Sequence, residues 1–169
     1  MRTIAAVFAS IAFSVSAFAG PDVVVTQFPK GAGSFGVSFP VVPLTNALGA
    51  SQGTRFTGVD DTAQGGRSSL ILAEVGGATT TVHVTLRFVF VAGQAVSSQA
   101  ISSRDYTLNP GELRLISGLA SDVIGDLRSS IGDLRNMQVD VDVTGGAGRV
   151  LPFIESTDNS SGDIMVRAD

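Results

Sequence analysis

Thr80-Thr81-Val82-His83-Val84-Thr85-Leu86-Arg87-Phe88-Val89-Phe90-Val91 is the stretch that decides the fold. Val82, Val84, Leu86, Phe88 and Phe90 fall on one side of an extended chain, and Thr81, His83, Thr85 and Arg87 on the other. A two-residue period is that of a strand, because successive side chains leave opposite faces of the pleat. One apolar face and one polar face describe a strand with one side in a core.

The same reading extends in both directions. Residues 68–75 are expected as a buried strand, and Gly76-Gly77 closes it. Residues 94–101 and 104–108 are expected as two further strands, followed by a turn at Asn109-Pro110-Gly111. Residues 137–144 alternate again, with Val139, Val141 and Val143 inward and Asp140 and Asp142 on a solvated face, before a turn at Gly145-Gly146-Ala147-Gly148. Residues 150–156 and 164–167 flank Asp158-Asn159-Ser160-Ser161-Gly162-Asp163 as a terminal hairpin. Residues 54–59 lead as a strand into the polar loop 60–66, and 45–52 fit a short helix or a loop.

One segment has helical spacing. Leu119, Val123, Ile124 and Leu127 share a helical face within 117–127. Ile124-Gly125-Asp126-Leu127-Arg128 recurs as Ile131-Gly132-Asp133-Leu134-Arg135, but the glycines argue for a helix followed by a turn, not a coiled coil. Seven to nine short strands separated by turns predict an all-β chain: an antiparallel β-sandwich with one short helix near 117–127.

The first residues have another character. Arg2 precedes an uncharged stretch through Phe18, and Ala17-Phe18-Ala19 before Gly20 is a signal-peptidase pattern. The apolar part is broken by Ser10, Ser14 and Ser16 and is shorter than the roughly 20 residues a membrane span needs. The expected organisation is a signal peptide at 1–19, an extended arm at 20–42 and a β-sandwich domain at 43–169, secreted or periplasmic after cleavage near Ala19-Gly20. The chain has no cysteine, so neither disulfides nor a lipid anchor at that site can form, and packing must supply the stability. A formal net charge of -4, a single lysine at Lys30 and dispersed arginines argue against nucleic acid as a partner.

Motifs that match on paper lack their context. Gly31-Ala32-Gly33-Ser34-Phe35-Gly36 satisfies the dinucleotide pattern, but Val37-Ser38-Phe39-Pro40 follows where a helix should begin. Gly49-Ala50-Ser51-Gln52-Gly53 satisfies the nucleophile-elbow pattern, with Asp60, Asp61 and His83 downstream, yet no βαβ unit surrounds it. Asp140 and Asp142 could pair as glycosidase carboxylates, but the chain has no Trp and Tyr106 is its one Tyr, which leaves no aromatic sugar platform. Asp158, Asn159 and Asp163 offer hard oxygen ligands for Ca²⁺; the alternative is an Asp/Asn/Gly hairpin that hydrogen-bonds its own backbone.

The segments Gly33-Ser34-Phe35-Gly36-Val37-Ser38-Phe39-Pro40-Val41-Val42-Pro43 and 148–163 resemble a family of uncharacterised secreted bacterial immunoglobulin-like β-sandwich domains. Members show a Gly-x-Phe-Gly-x-x-x-Pro start and an Asp-Asn-x-Ser/Thr-Gly-Asp end. Arg67-Ser68-Ser69-Leu70-Ile71-Leu72-Ala73-Glu74 is similar to that family's arginine-led central strand, and Leu108-Asn109-Pro110-Gly111 to its proline turn. Pro152, Phe153 and Ser68-Ser69 depart from its pattern. The resemblance implies an immunoglobulin-like extracellular module and no activity.

The expectation for function is a non-enzymatic extracellular interaction or structural module acting through sheet edges and loops on a protein or matrix partner. The arm residues Val23, Val24, Val25 and Phe28 are its expected partner-binding set, and the arm could also mediate homo-oligomer formation. A calcium-stabilised adhesion domain is the alternative, and a hydrolase the weakest reading. No catalytic residue and no cofactor other than Ca²⁺ is expected.

Overall fold

The computed structural model describes residues 23–24, 27–28, 37–38, 42–92 and 96–168. The signal peptide expected at 1–19, the cleavage junction and Val25 lie outside them. In the arm, β1 (Val23–Val24) pairs with β4 (Val42–Pro43), and β2 (Gln27–Phe28) pairs with β3 (Val37–Ser38). The arm strands are therefore paired within their own chain.

The body is an all-β sandwich. Its strands are β5 (Gly53–Asp61), β6 (Gly66–Glu74), β7 (Thr80–Ala92), β8 (Val96–Leu108), β9 (Leu113–Ile116), β10 (Leu134–Gly146), β11 (Val150–Asp158) and β12 (Ile164–Arg167). The first sheet runs β5-β10-β7-β8 and the second β12-β11-β6-β9, with antiparallel neighbours throughout. Only the β7–β8 and β11–β12 connections are hairpins within a sheet; the other five links in the body cross between sheets. The two strands expected at 94–101 and 104–108 are one, β8, in unbroken register with β7.

Between the sheets lies the main core. Val82, Val84, Leu86 and Phe88 enter it from β7, Val139, Val141 and Val143 from β10, Leu70 and Leu72 from β6, and Val150 and Ile154 from β11. The helix α1 (Leu119–Ile124) is shorter than the 117–127 expectation and passes directly into a 3₁₀ turn, Gly125–Ser130. Leu119, Ala120 and Val123 plug the side of the sandwich between β8 and β9. Ser102 Oγ donates to the Val123 carbonyl at 2.9 Å, and the Tyr106 hydroxyl donates to Asp122, so the helix is tied to β8.

The second sheet is apolar on both faces. Outward-facing Ile71, Ala73, Leu151 and Phe153 are buried under Val42 and Ala47 in a separate cluster. This explains why β6 carries the unbroken apolar stretch Leu70-Ile71-Leu72-Ala73, whereas β7, with one wet face, alternates. Pro152 fits for a related reason. Val150 exchanges backbone hydrogen bonds with Leu48, and β12 rejoins β11 at Ile154, so Pro152 lies in the gap between them. Its backbone nitrogen points the way Val150's does, away from β6, where a missing N–H costs no ladder bond.

Candidate functional site

The exposed face of the first sheet concentrates the ionisable side chains of strands far apart in sequence. Register places Asp140 between Arg55 on β5 and Thr85 on β7. Arg55 donates to one carboxylate oxygen of Asp140 and Arg87 Nε to the other at 2.9 Å. Asp140 is only 8% exposed, which corrects its reading as one of two solvated acids. Burial alone would raise its pKa, but the hydrogen bonds and charges of the two guanidiniums outweigh that and hold it below the ordinary carboxylate value. A carboxyl held ionised in this way is a poor proton donor for a glycosidase pair.

The neighbouring row contains Asp142, His83 and Asp105. His83 Nδ1 lies 2.6 Å from Asp105 Oδ1 across the β7–β8 pair. Asp142 lies over Gly53, where a side-chain Cβ would overlap its carboxylate. Ser51 has φ +63°, a feature it shares with strained nucleophile turns, but its N–H donates to the Val143 carbonyl and the chain continues into β5, not a helix. The strand-turn-helix context of an elbow is not built here. The dinucleotide-like glycines 31–36 lie outside the described residues.

The calcium candidates lie at one end of the sandwich, beside a cleft of about 400 Å³ between the β5–β6 loop and the β11–β12 hairpin. Asp158 Oδ1 accepts from the Ser160 N–H at 2.7 Å, the Ser160 hydroxyl and the Ser161 N–H, closing its own turn. Those three donors lower its pKa. Asn159 Nδ2 reaches across to the Thr62 carbonyl at 3.2 Å and ties the two loops together. Asp163 borders the cleft with Arg67 and Arg135. Among the described residues no three His, Cys, Asp or Glu side chains gather as a metal cluster. Of the expected partner-binding set, Val23 and Val24 are in β1 and Phe28 in β2.

The opposite end has a feature that sequence reasoning misses. Glu74, 4% exposed, accepts four backbone hydrogen bonds: from Gly76 and Gly77 in the β6–β7 turn, Gly111 in the β8–β9 turn and Arg149 before β11, at 2.7 to 3.1 Å. Burial pushes its pKa up, and the four N–H donors together bring it below the ordinary value. A Cβ on Gly148 would overlap Thr80 Oγ1 and the Ala78 carbonyl, so that position needs glycine to let the turns meet. An acid at the end of an apolar strand, directly before Gly-Gly, is the sequence signal that could have found it.

No family model matches the chain, and no curated protein matches it. Among solved structures, the crystal structure of Thermotoga maritima 1070 is similar over 71% of this chain and 92% of that one, with a TM-score of 0.42 and 12% identity. A likeness of that extent bears on neither activity nor partner. No helix among the described residues is long and apolar enough to cross a membrane.

Proposed function

We propose that the protein is a secreted bacterial module, non-enzymatic, that binds a protein or matrix partner through the surfaces of its sandwich. The observation that carries this reading is the wet face of the first sheet. Arg55, Asp140 and Arg87 brace one another across three strands and present a flat polar surface with its charges already positioned. Preorganised side chains lose less freedom on contact, so such a face suits recognition by shape and charge.

An immunoglobulin-like kinship is part of the proposal. Counting β5 as the first strand, the β6–β9 and β7–β10 pairs stand where the B–E and C–F pairs stand in immunoglobulin domains. The flanking strands are exchanged: β5 joins β10, and β11 joins β6.

The test is binding of the fluorescent, purified chain to isolated cell envelope and secreted matrix of the producing organism. Asp142→Lys with Thr144→Lys alters two exposed positions on the central strand β10. The expected result is binding weakened at least about tenfold with an unchanged melting temperature, the behaviour of a surface substitution. Ester or glycoside hydrolysis that Ser51→Ala or His83→Ala abolishes would overturn the reading.

A further inference from the structure

A sandwich of two open sheets has four edge strands, and an edge carries a row of unpaired N–H and C=O groups that invites another strand. Three of the four edges here are protected. β5 contains Gly58 at φ +64° and register shifts against β10, and it carries Arg55, Asp60 and Asp61. β9 is four residues long and includes Arg114. β12 is four residues long, ends at Arg167, and has β3 beside it.

β8 is the least protected: its two charges, Arg104 and Asp105, and its bonds to α1 from Ser102, Arg104 and Tyr106 all lie in its second half. It is thirteen residues long, pairs with β7 at every position without a shift, and has no proline or lysine. From Val96 to Ser103 it carries no charge. Ile101, 64% exposed, stands on its outer face. β10 leaves β7 beyond the Gln138–Arg87 pair, so the β7–β8 ribbon from the Phe88–Ala100 pair to the Ala92–Val96 pair continues with no third strand beside it among the described residues. A two-stranded ribbon is marginal in water by itself.

The sequence of this edge indicates its occupant. Ser97-Ser98-Gln99-Ala100-Ile101-Ser102-Ser103 places serines symmetrically about Ala100. We propose that β8 pairs antiparallel with β8 of a second copy about a two-fold axis at Ala100, fusing two first sheets into one of eight strands. Ser97 then faces the second copy's Ser103, Ser98 faces Ser102, and Gln99 faces Ile101. Arg104 falls opposite Val96, so no like charges meet. The nine paired residues span about 30 Å. A self-complementary edge forms a closed pair, not a filament.

The proposal rests on the reading of the chain as a binding or structural module and gives it a defined partner, a second copy. Its test is sedimentation of the purified full chain with site-specific cross-linking, which the absence of native cysteine makes direct. The chain is expected to sediment as a dimer at tens of micromolar. The Ala100→Cys variant is expected to cross-link as a dimer through a short bismaleimide. The Thr107→Cys variant, whose two thiols would lie about 45 Å apart, is expected not to. Ile101→Lys with Ser103→Lys is expected to give a folded monomer, with circular dichroism reporting the fold. A monomer at all concentrations, a dimer indifferent to the two lysines, or cross-linking of the Thr107→Cys variant in place of the Ala100→Cys variant would each overturn the pairing. Those outcomes leave the envelope-binding test untouched, since it reads substitutions on β10.

Discussion

The outer faces of the two sheets are built from opposite materials. On the first, Arg55, Asp140, Arg87, His83 and Asp105 pair across strands in contact with water. On the second, Ile71, Ala73, Leu151 and Phe153 are sealed beneath Val42 and Ala47. A strand in the first sheet needs one apolar side, and one in the second needs two. The chain from residue 42 to β5 therefore belongs to the packing of the second sheet and not only to a connecting arm.

Truncating the two faces tests this contrast most severely. Phe153→Ala, 3% exposed on the second sheet, is expected to cost about 3 to 5 kcal/mol in urea unfolding, the range for a buried aromatic side chain. Ser103→Ala, exposed on the first, is expected to stay within about 0.5 kcal/mol. Equal costs would break the comparison.

Glu74 sharpens it, since its end of the sandwich belongs to neither face. Glu74→Gln keeps the size but turns two amide donors towards N–H groups, and about 2 to 3 kcal/mol of stability is expected to be lost. The pH dependence has a definite sign. The folded carboxyl titrates below its ordinary value of 4.5, so its contribution is complete above about pH 4.5 and disappears as pH falls through the folded value. The glutamine variant is expected to flatten that part of the acid limb; an unchanged slope would remove Glu74 from the account.

Asp140→Asn is expected to have a smaller effect, about 1 kcal/mol, because both arginines remain partly exposed and solvent screens them. Its cost is expected to shrink in 1 M salt, and a salt-independent loss would mean that packing, not charge, braces the first sheet. The least effect is expected from calcium. With Asp158 closing its own turn and Asn159 tying two loops, excess Ca²⁺ or chelator is expected to leave the melting temperature within about 1 °C.

The strands and the sandwich are legible in local pattern, since the alternation in β7 and β10 and the apolar run in β6 each record how many of a strand's faces are covered. What lies between strands is not. Asp140 looks like its neighbour Asp142 in sequence, and its two arginines arrive from 85 and 53 residues away through a register that no local signal specifies. The Ser102-Ser103 pair reads locally as a break, whereas an edge strand accepts small polar residues without loss, and β8 runs through them. The two Ile-Gly-Asp-Leu-Arg copies diverge for the same non-local reason. Arg128 of the first holds Asp61 at 2.6 Å, while Leu134 of the second is buried at the start of β10. The Asp158 hairpin is legible in both its forms, and its own hydrogen bonds fill the role given to it by the turn reading.

The Glu74 knot does for three turns what a covalent cross-link does in many small exported domains, and it does so with an ionised oxygen pair. A thiol reductant therefore has no bond to cut at this end of the molecule, and no oxidising catalyst is required to assemble it. The chain can mature in a reducing or an oxidising compartment with the same covalent structure, and its vulnerability is transferred from electrons to protons.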